Sequence, residues 1–305
     1  MRISKDLIED TYAEAFDGLY VRILVTADDE ETLKKAAEDA TATPSTVIGR
    51  LEGGVEKWLR PGETPDKRNG AVLQIWKGLE KDKPLENIVE RFEKELSYRI
   101  RQDILVKPFT SVFDFMDAKP LGKMDMMERV GHCGDGYEWE ETVHGRHMIA
   151  VPLMVPDFYI ERYIKYARGV SGGNFWIMCG TKQAVLESGK AALEAISKVN
   201  GVVTPFGVCS AGSKTETRFP SIGPTTNHPY CPSLREKLAN DSKVPEVVKY
   251  IPEVVVNGVS MHAVKEAMKV GIEACLTVDG VVMVSAGNYG GKLGEHKIHL
   301  RELFQ

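Results

Sequence analysis

The sequence predicts an α+β protein built of two ferredoxin-like lobes, each an α/β sandwich of the split βαβ type. The first observation is an internal repeat, in which Ala184–Val203 matches Ala263–Val282 at a constant offset. Each copy has the pattern strand, helix, strand. Two such units in series form a sheet with both helices on one face. The second observation is that the N-terminal half shows the same order of elements.

The first copy begins with an apolar strand over Asn174–Met178 and continues with a helix from about Lys182. Thr181 is placed to cap that helix, because a hydroxyl at this position accepts a free backbone N–H. Asn200-Gly201 ends the helix, since glycine adopts the left-handed conformation without steric cost. A second strand is expected from Val202.

The second copy repeats this pattern at the same offset. It predicts a strand over Val254–Val256, a helix capped by Ser260, a glycine stop at Gly280 and a strand over Val281–Ser285.

The N-terminal half predicts a comparable lobe around the turn-rich loop Pro61–Gly70. The expected strands are Val21–Thr26, Thr46–Ile48 and Ala71–Trp76, and the expected helices are Asp29–Ala40 and Leu85–Tyr98. We therefore predict an N-terminal lobe over residues 1–150 and a C-terminal lobe over 151–305, the latter interrupted by the loop Phe206–Pro232.

Composition narrows the class of protein. Of the 305 residues, 43% are hydrophobic and 27% are charged, and the net charge is −5. These values are typical of a soluble globular protein, and without a basic tract or a long apolar run we expect neither a nucleic-acid nor a membrane partner. The N-terminus lacks the apolar stretch of a secretory signal, which predicts a cytoplasmic location. Five cysteines without a C-x-x-C pair predict reduced thiols.

The glycine-rich segment Ser285–Gly294 is open to two interpretations. It is not a phosphate-binding P-loop, because Ala286 and Leu293 stand where a glycine and a serine or threonine are required. It is either a tight turn after a strand or a loop whose backbone approaches a ligand closely. The histidines and cysteines show no metal-binding motif, and no G-x-S-x-G nucleophile motif occurs.

Glu253 is the acid with the most informative position. It opens the strand EVVVN, and by the repeat offset it corresponds to Asn174. A carboxyl beside an apolar strand loses hydration, which disfavours its charged form. Such a protonated carboxyl can donate a hydrogen bond to a developing oxyanion. The alternative is an exposed glutamate at a strand end, and the residue pattern leaves both open.

A series of strings, in order along nearly the whole chain, resembles formylmethanofuran:tetrahydromethanopterin formyltransferase. They are EDTYAEAF (Glu9–Phe16), ETPDKRNG (Glu63–Gly70), GDGYE (Gly134–Glu138), GGNF (Gly172–Phe175), TTNHPYCPSL (Thr225–Leu234), EVVVNG (Glu253–Gly258), AVKEAMKVGIEA (Ala263–Ala274), SAGNYGGKLG (Ser285–Gly294) and HLRELF (His299–Phe304).

The resemblance implies two similar lobes and a cytoplasmic homo-oligomer in which dimers pair into tetramers. It implies no metal and no tightly bound cofactor, with methanofuran and tetrahydromethanopterin acting as carrier substrates. The family's proposed key carboxylate lies in its segment of one glutamate, three apolar residues, asparagine and glycine, which here makes Glu253 the catalytic candidate.

Loops near the expected cleft supply the substrate-binding candidates. These are Asn174, Ser213, Lys214, Thr226, Asn227, Tyr230, Asn288, Gly290, Gly291 and Lys292. Lys214, Arg218 and Lys292 suit the carboxylate and phosphate groups of the carriers, because charge-assisted bonds to such anions are strong. Each of these cations has the alternative of being a solvated surface side chain.

The chain also departs from the family at three places. The segment PFGVCSAGSKTETRF (Pro205–Phe219) is shorter and poorer in glycine, Asn227-His228 replaces an Asn-Asp pair, and Ala42-Thr43-Pro44 replaces a glycine-containing turn. These departures indicate a divergent branch. The alternative function is therefore a non-catalytic paralogue, a carrier-binding or assembly subunit of a one-carbon complex. A sensor built on paired ferredoxin-like lobes is a further option by analogy of fold.

Overall fold

The computed structural model describes residues 5–42, 51–155, 157–210, 212–214 and 216–305. In chain order its elements are β1 (Tyr12–Ala27), α1 (Glu30–Thr41), β2 (Glu52–Leu59), β3 (Asn69–Gly78), α2 (Leu85–Arg99), β4 (Thr110–Asp114), β5 (Gly122–Asp125), β6 (Trp139–Val143), β7 (Arg146–Val151), β8 (Phe158–Glu161), β9 (Tyr163–Cys179), α3 (Lys182–Ile196), β10 (Val202–Val203), β11 (Val208–Cys209), β12 (Ser213–Lys214), β13 (Thr225–Thr226), α4 (Arg235–Leu238), β14 (Glu253–Gly258), α5 (Met261–Cys275), β15 (Val281–Ser285) and β16 (His296–His299). Within these residues, no helix is both long enough and apolar enough to cross a membrane.

The chain divides into two compact units, and one of them is discontinuous. The N-terminal unit is Gly18–Gly169, and the C-terminal unit combines Met1–Asp17 with Val170–Gln305. The sequence predicted two continuous lobes, 1–150 and 151–305. The segment up to Asp17 instead joins the C-terminal unit, because its apolar side chains, such as Ala13 and Ala15, are buried in that unit's core. The predicted boundary after residue 150 itself stays a prediction.

The N-terminal unit is built on an antiparallel sheet with the strand order β4, β1, β3, β2. Alternate residues of β1, among them Val21 and Ile23, share a core with apolar residues of α1 and α2. Both helices therefore cover one face, which confirms the predicted split βαβ arrangement.

The sequence predicted neither β2 nor the strands β4 to β8 of this unit. The predicted strand Thr46–Ile48 lies outside the described residues, and β2 at Glu52–Leu59 pairs with β3 instead. Two features hide β2 in the sequence: the glycine pair Gly53-Gly54, and a shift of register between Val55 and Lys57 that breaks the alternation of apolar and polar residues.

The C-terminal unit has the corresponding strand order β15, β9, β14, β10, again antiparallel. Helices α3 and α5 begin and end at equivalent positions of the two copies, as the repeat predicted. Thr181 accepts the N–H of Ala184 at 3.1 Å, and Ser260 accepts that of Ala263 at 3.2 Å, so both predicted caps are confirmed. The predicted stop Gly201 has a left-handed φ of 76°.

The two faces of this sheet have different surroundings. Phe175 and Val254 lie on the face that packs against α3 and α5. Trp176 pairs directly with Glu253. Directly paired residues point to the same side of a sheet, and successive residues alternate, so Trp176 and Glu253 lie on the face away from the helices. Asn174 lies on that face too, two residues before Trp176.

Candidate active site

Glu253 lies at the start of β14 and is hydrogen-bonded to Trp176 of the neighbouring strand β9. The indole Nε1 of Trp176 donates a hydrogen bond of 3.0 Å to Oε1 of Glu253. Trp176 is only 3% exposed, so this donor has a fixed position. The bond occupies one carboxyl oxygen and leaves the other available.

Burial raises the pKa of Glu253 from 4.5 to about 7, and the hydrogen bond from Trp176 opposes that rise only in part. A carboxyl with this pKa is substantially protonated near neutral pH. It can therefore donate a hydrogen bond through the oxygen that Trp176 does not use.

A cavity of about 620 Å³ lies beside this carboxyl within the C-terminal unit. Its walls are mostly apolar, and Trp176 and Tyr230 form part of them with ring centroids 4.6 Å apart in an edge-to-face arrangement. Glu253 does not itself line the cavity. Its chain neighbour Pro252 and its cross-strand partner Cys209 do. The carboxyl is therefore one contact away, through Trp176, from a space of the size that small-molecule ligands occupy.

Three of the predicted substrate-binding residues line this cavity, namely Thr226, Asn227 and Tyr230. The neighbouring candidates Ser213 and Lys214 form the short strand β12, which pairs with β13. Ser213 is exposed, and the amino group of Lys214 donates to the carbonyl of Glu216.

Asn174 acts on the protein backbone. Its Oδ1 accepts the N–H of Gly287 at 2.7 Å, and its Nδ2 donates to the carbonyl oxygens of Gly287 at 3.1 Å and Gly172 at 3.2 Å. The side chain is 8% exposed. The oxygen and the nitrogen of its carboxamide are thus already bonded to the backbone. That Asn174 binds substrate stays a prediction.

The glycine loop, which we define as Ala286–Glu295, surrounds the carboxylate of Glu14. Glu14 is 1% exposed. Its oxygens accept backbone N–H groups from Tyr289 at 2.8 Å, Leu293 at 3.2 Å, Gly294 at 2.8 Å and also Gly291. Successive backbone N–H groups that converge in this way form an anion-binding concavity. The sequence left open a tight turn or a loop whose backbone approaches a ligand, and the group that this backbone approaches is a side chain of the same protein.

Burial alone would raise the pKa of Glu14, but the four backbone hydrogen bonds outweigh it and hold the pKa below its usual value. Glu14 is therefore ionised. Of the predicted substrate-binding residues in the loop, Gly291 donates to Glu14, and Asn288 donates to the carbonyl of Tyr12 at 3.1 Å. Gly290, with its N–H bonded to Asn288, and Lys292 are exposed. Their assignment as substrate-binding residues stays a prediction.

Sequence reasoning missed Trp176, Glu14 and Tyr289. Trp176 had a local signal, because it lies two residues from Asn174 and so on the same strand face. Glu14 is an acid within the small apolar string YAEAF, but its partners lie at the opposite end of the chain, and no local pattern indicates them. Tyr289 is partly buried, and burial together with the nearby Glu253 raises the pKa of its hydroxyl, while a hydrogen bond with Ser213 lowers it.

A metal centre or a second cavity would be an alternative to the site around Glu253. Within the part of the chain that the structure describes, no group of three or more His, Cys, Asp and Glu side chains could hold a metal ion. A smaller cavity of about 290 Å³ lies in the N-terminal unit and is lined by Arg68, Phe109 and Tyr159 among others. Arg68 already donates to Asp66, Thr26 and Ser111 around it.

The fold and the site define a class of protein. The ferredoxin-like units carry a carboxyl whose pKa burial raises to about 7, bonded to a tryptophan that lines a substrate-sized cavity, and this combination is suited to acyl transfer. Family comparison agrees with this class. The model for formylmethanofuran–tetrahydromethanopterin formyltransferase matches residues 1–153, and the model for the proximal lobe of the same enzyme matches residues 156–303. The chain belongs to the formylmethanofuran:tetrahydromethanopterin formyltransferase family.

Relatives of two kinds match over nearly the full length. A formyltransferase-like protein of Methanothermobacter thermautotrophicus is 58% identical and covers 98% of each chain. A protein of Archaeoglobus fulgidus named as the formyltransferase itself is 41% identical over the whole of both chains. The greater similarity to the proteins with a "-like" name agrees with the divergent branch that the sequence indicates.

Solved structures confirm the architecture. The formyltransferase of Methanosarcina barkeri superimposes with a TM-score of 0.88 at 36% identity and covers 97% of each chain. A chain of the formyltransferase/hydrolase complex of Methylorubrum extorquens, solved with methylofuran, gives 0.87 at 31% identity, over 98% of this chain and 96% of that one.

Proposed function

We propose that this protein transfers a formyl group between formylmethanofuran and N5 of tetrahydromethanopterin. Family membership supports the reaction, and one observation supports the chemistry: Glu253 is held protonated near neutral pH beside the cavity. In this reaction the carboxyl donates a hydrogen bond to the oxygen of the migrating formyl group.

The reaction begins when the ring amine of the pterin attacks the carbonyl carbon of the formamide. The C=O bond becomes a C–O⁻ single bond in a tetrahedral intermediate. Glu253 stabilises that oxygen through its carboxyl O–H. The intermediate then collapses, the bond from carbon to the methanofuran nitrogen breaks, and the proton lost by the pterin amine is matched by one gained by the leaving amine.

Trp176 determines which oxygen of Glu253 carries the proton. Its N–H holds Oε1, so the O–H of the protonated carboxyl resides on the free oxygen. A preorganised donor of this type is typically worth about 3 to 4 kcal/mol in the transition state. Alignment of two large carriers supplies more, about 7 to 11 kcal/mol in well-oriented reactions. We propose that Thr226, Asn227 and Tyr230 contribute to that alignment from the cavity wall.

The experiment is to replace the acid while preserving its shape. Glu253→Gln keeps an oxygen for the Trp176 N–H but removes the acidic proton. With both carriers supplied and formyl-pterin followed by absorbance, we expect kcat to fall by about a hundredfold or more, with little change in KM. Glu266→Gln, at an exposed position of α5, is the matched control and should retain wild-type turnover.

Each outcome has a definite meaning. Near-normal turnover of Glu253→Gln would show that the acidic proton of residue 253 is not needed. A wild-type protein that binds both carriers without turnover would favour the alternative, a carrier-binding or assembly subunit. The related chain from Methylorubrum extorquens belongs to a formyltransferase/hydrolase complex. Co-purification of this protein with other subunits is therefore the second measurement for that alternative.

We propose further that the protein is cytoplasmic, that it forms dimers or tetramers of identical subunits, and that it uses its carriers as substrates without a tightly bound cofactor. Light scattering on the purified chain tests the oligomer. Exposed apolar side chains in the C-terminal unit, including Phe219 and Ile222 at 64% exposure each, provide surface that an interface would bury.

A further inference from the structure

Glu14 is a buried carboxylate that the proposed chemistry does not use directly. It lies on β1 and binds the glycine loop through four backbone N–H groups. Gly290 and Gly291 make this possible, because their left-handed φ values of 70° and 74° turn the backbone around the carboxylate. The loop is therefore built around an internal anion, as other loops of this type are built around a bound ligand.

The loop that Glu14 organises packs directly against Trp176. A Cβ placed on Gly287 would lie 3.0 Å from Cζ2 of the indole, which is closer than most real Cβ contacts, so a larger residue there would push against Trp176. Asn174 fixes the same residue through both its N–H and its carbonyl. The contacts run without interruption from the glycine loop to Trp176, and from Trp176 to Glu253.

Tyr289 provides a second connection. Its backbone N–H is one of the four donors to Glu14, and its ring lies 6.3 Å from that of Phe16 in a tilted arrangement. Its hydroxyl lies within the electrostatic influence of Glu253 and bonds to Ser213. Movement of the loop would therefore shift a partly buried hydroxyl that interacts electrostatically with the candidate catalytic acid.

We infer that Glu14 is a positioning residue of the formyl-transfer site, acting as an internal anionic ligand that holds Gly287 against Trp176 and Tyr289 near Glu253. Glu14 lies within a shell of backbone and is assigned no contact with substrate. Its effect on turnover is exerted through the loop. This inference rests on the proposed function, because the reaction it would affect is formyl transfer.

The test removes the internal anion and then supplies one from solution. Glu14→Ala leaves four converging N–H groups without their acceptor. We expect kcat to fall at least tenfold while KM for each carrier stays within about twofold, and added acetate to restore a substantial part of kcat. Acetamide, of similar shape but neutral, should not restore it, because an anion-binding concavity selects for charge. Glu266→Ala is the control, and its turnover should not respond to acetate.

A second measurement separates this inference from the proposed function. Amide hydrogen exchange of peptides spanning residues 287–294 should be faster in Glu14→Ala and slowed again by acetate, whether or not the protein turns over. Absence of turnover in the wild type would overturn the proposed function, and unchanged exchange would overturn the internal-ligand role.

Wild-type kcat in Glu14→Ala, or equal rescue by acetate and acetamide, would overturn the positioning role. If Glu14→Ala does not fold, Glu14→Asp keeps the charge on a shorter side chain. It should then show the same loss of kcat at constant KM, and wild-type kcat in Glu14→Asp would overturn the inference.

Discussion

Two glutamates of the C-terminal unit are held in opposite protonation states by their neighbours. Glu14 receives four backbone N–H groups, and its pKa is lowered despite burial. Glu253 receives one indole N–H, which does not offset its burial, and its pKa rises to about 7. The balance between burial, which raises each pKa, and the donors aimed at each carboxyl, which lower it, decides the result. Glu14 is thereby suited to organise the glycine loop as an anion. Glu253 is suited to donate a hydrogen bond through its carboxyl O–H.

The raised pKa of Glu253 has a consequence for stability. A folded-state pKa above the unfolded value of 4.5 means that the ionised form is disfavoured in the folded protein. Stability is therefore fully present below pH 4.5 and falls as the pH rises towards 7, by about 3 kcal/mol in total.

Glu253→Gln should remove that loss, because the amide does not ionise. We expect this variant to be more stable than wild type at pH 8.5, and to have little or no advantage at pH 4.5. Urea denaturation at both pH values measures the difference in the free energy of unfolding. An equal difference at the two pH values would show that Glu253 does not titrate in this range.

Trp176→Phe tests the hydrogen bond itself. Because the indole N–H lowers the pKa of Glu253, its loss should move the alkaline limb of the kcat–pH profile to higher pH. The plateau of kcat should fall by about tenfold, since the carboxyl loses its fixed orientation. Trp58→Phe is the matched control at a half-exposed position of β2. If the alkaline limb does not move in Trp176→Phe, the indole N–H does not influence the pKa of Glu253.

At the scale of elements, local sequence patterns predict the helices better than the site. The caps and glycine stops of α3 and α5 depend on residues within one helical turn, so the repeat alone located them. β2 was not recognised, because its register shift arises from pairing with β3. The place of Glu253 at a strand start left its role open, and the resemblance to the family made it the catalytic candidate. Strand alternation from Asn174 could have indicated the face on which Trp176, the donor to Glu253, lies. The partners of Glu14 lie at the opposite end of the chain, and local patterns do not encode them.

The repeat makes a prediction about the two capping hydroxyls. Thr181→Ala and Ser260→Ala each remove one acceptor for an otherwise unpaired backbone N–H at the start of a helix. Each should lower the free energy of unfolding by about 1 kcal/mol, and the two costs should be similar. The exposed Ser221→Ala is the control and should change stability by less than about 0.5 kcal/mol. Chemical denaturation measures all three, and a cost at one cap only would contradict equivalent roles.

At the scale of the whole molecule, the chain's two ends are parts of one unit. Residues of β1 from Tyr12 to Ala15 pair antiparallel with β16, and Ile8 forms a parallel bridge with Val284. The continuous lobes predicted from the sequence could not show this, because the repeat lies wholly in the C-terminal half. The consequence is that the core of the C-terminal unit and its glycine loop both depend on the N-terminal segment that ends at Asp17.

Fragments of the chain test this dependence. Residues 170–305 alone lack Ile8, Ala13 and Ala15 from the core and leave the glycine loop without Glu14. Burial of one isoleucine side chain contributes about 2 to 3 kcal/mol, and each unpaired buried N–H costs about 1 kcal/mol or more. We therefore expect this fragment to unfold at a much lower urea concentration than the same fragment with residues 1–17 joined to Val170 by a flexible linker. The linked fragment carrying Glu14→Ala should fall between the two. Equal midpoints for the linked and unlinked fragments would show that the C-terminal unit is complete without its N-terminal segment.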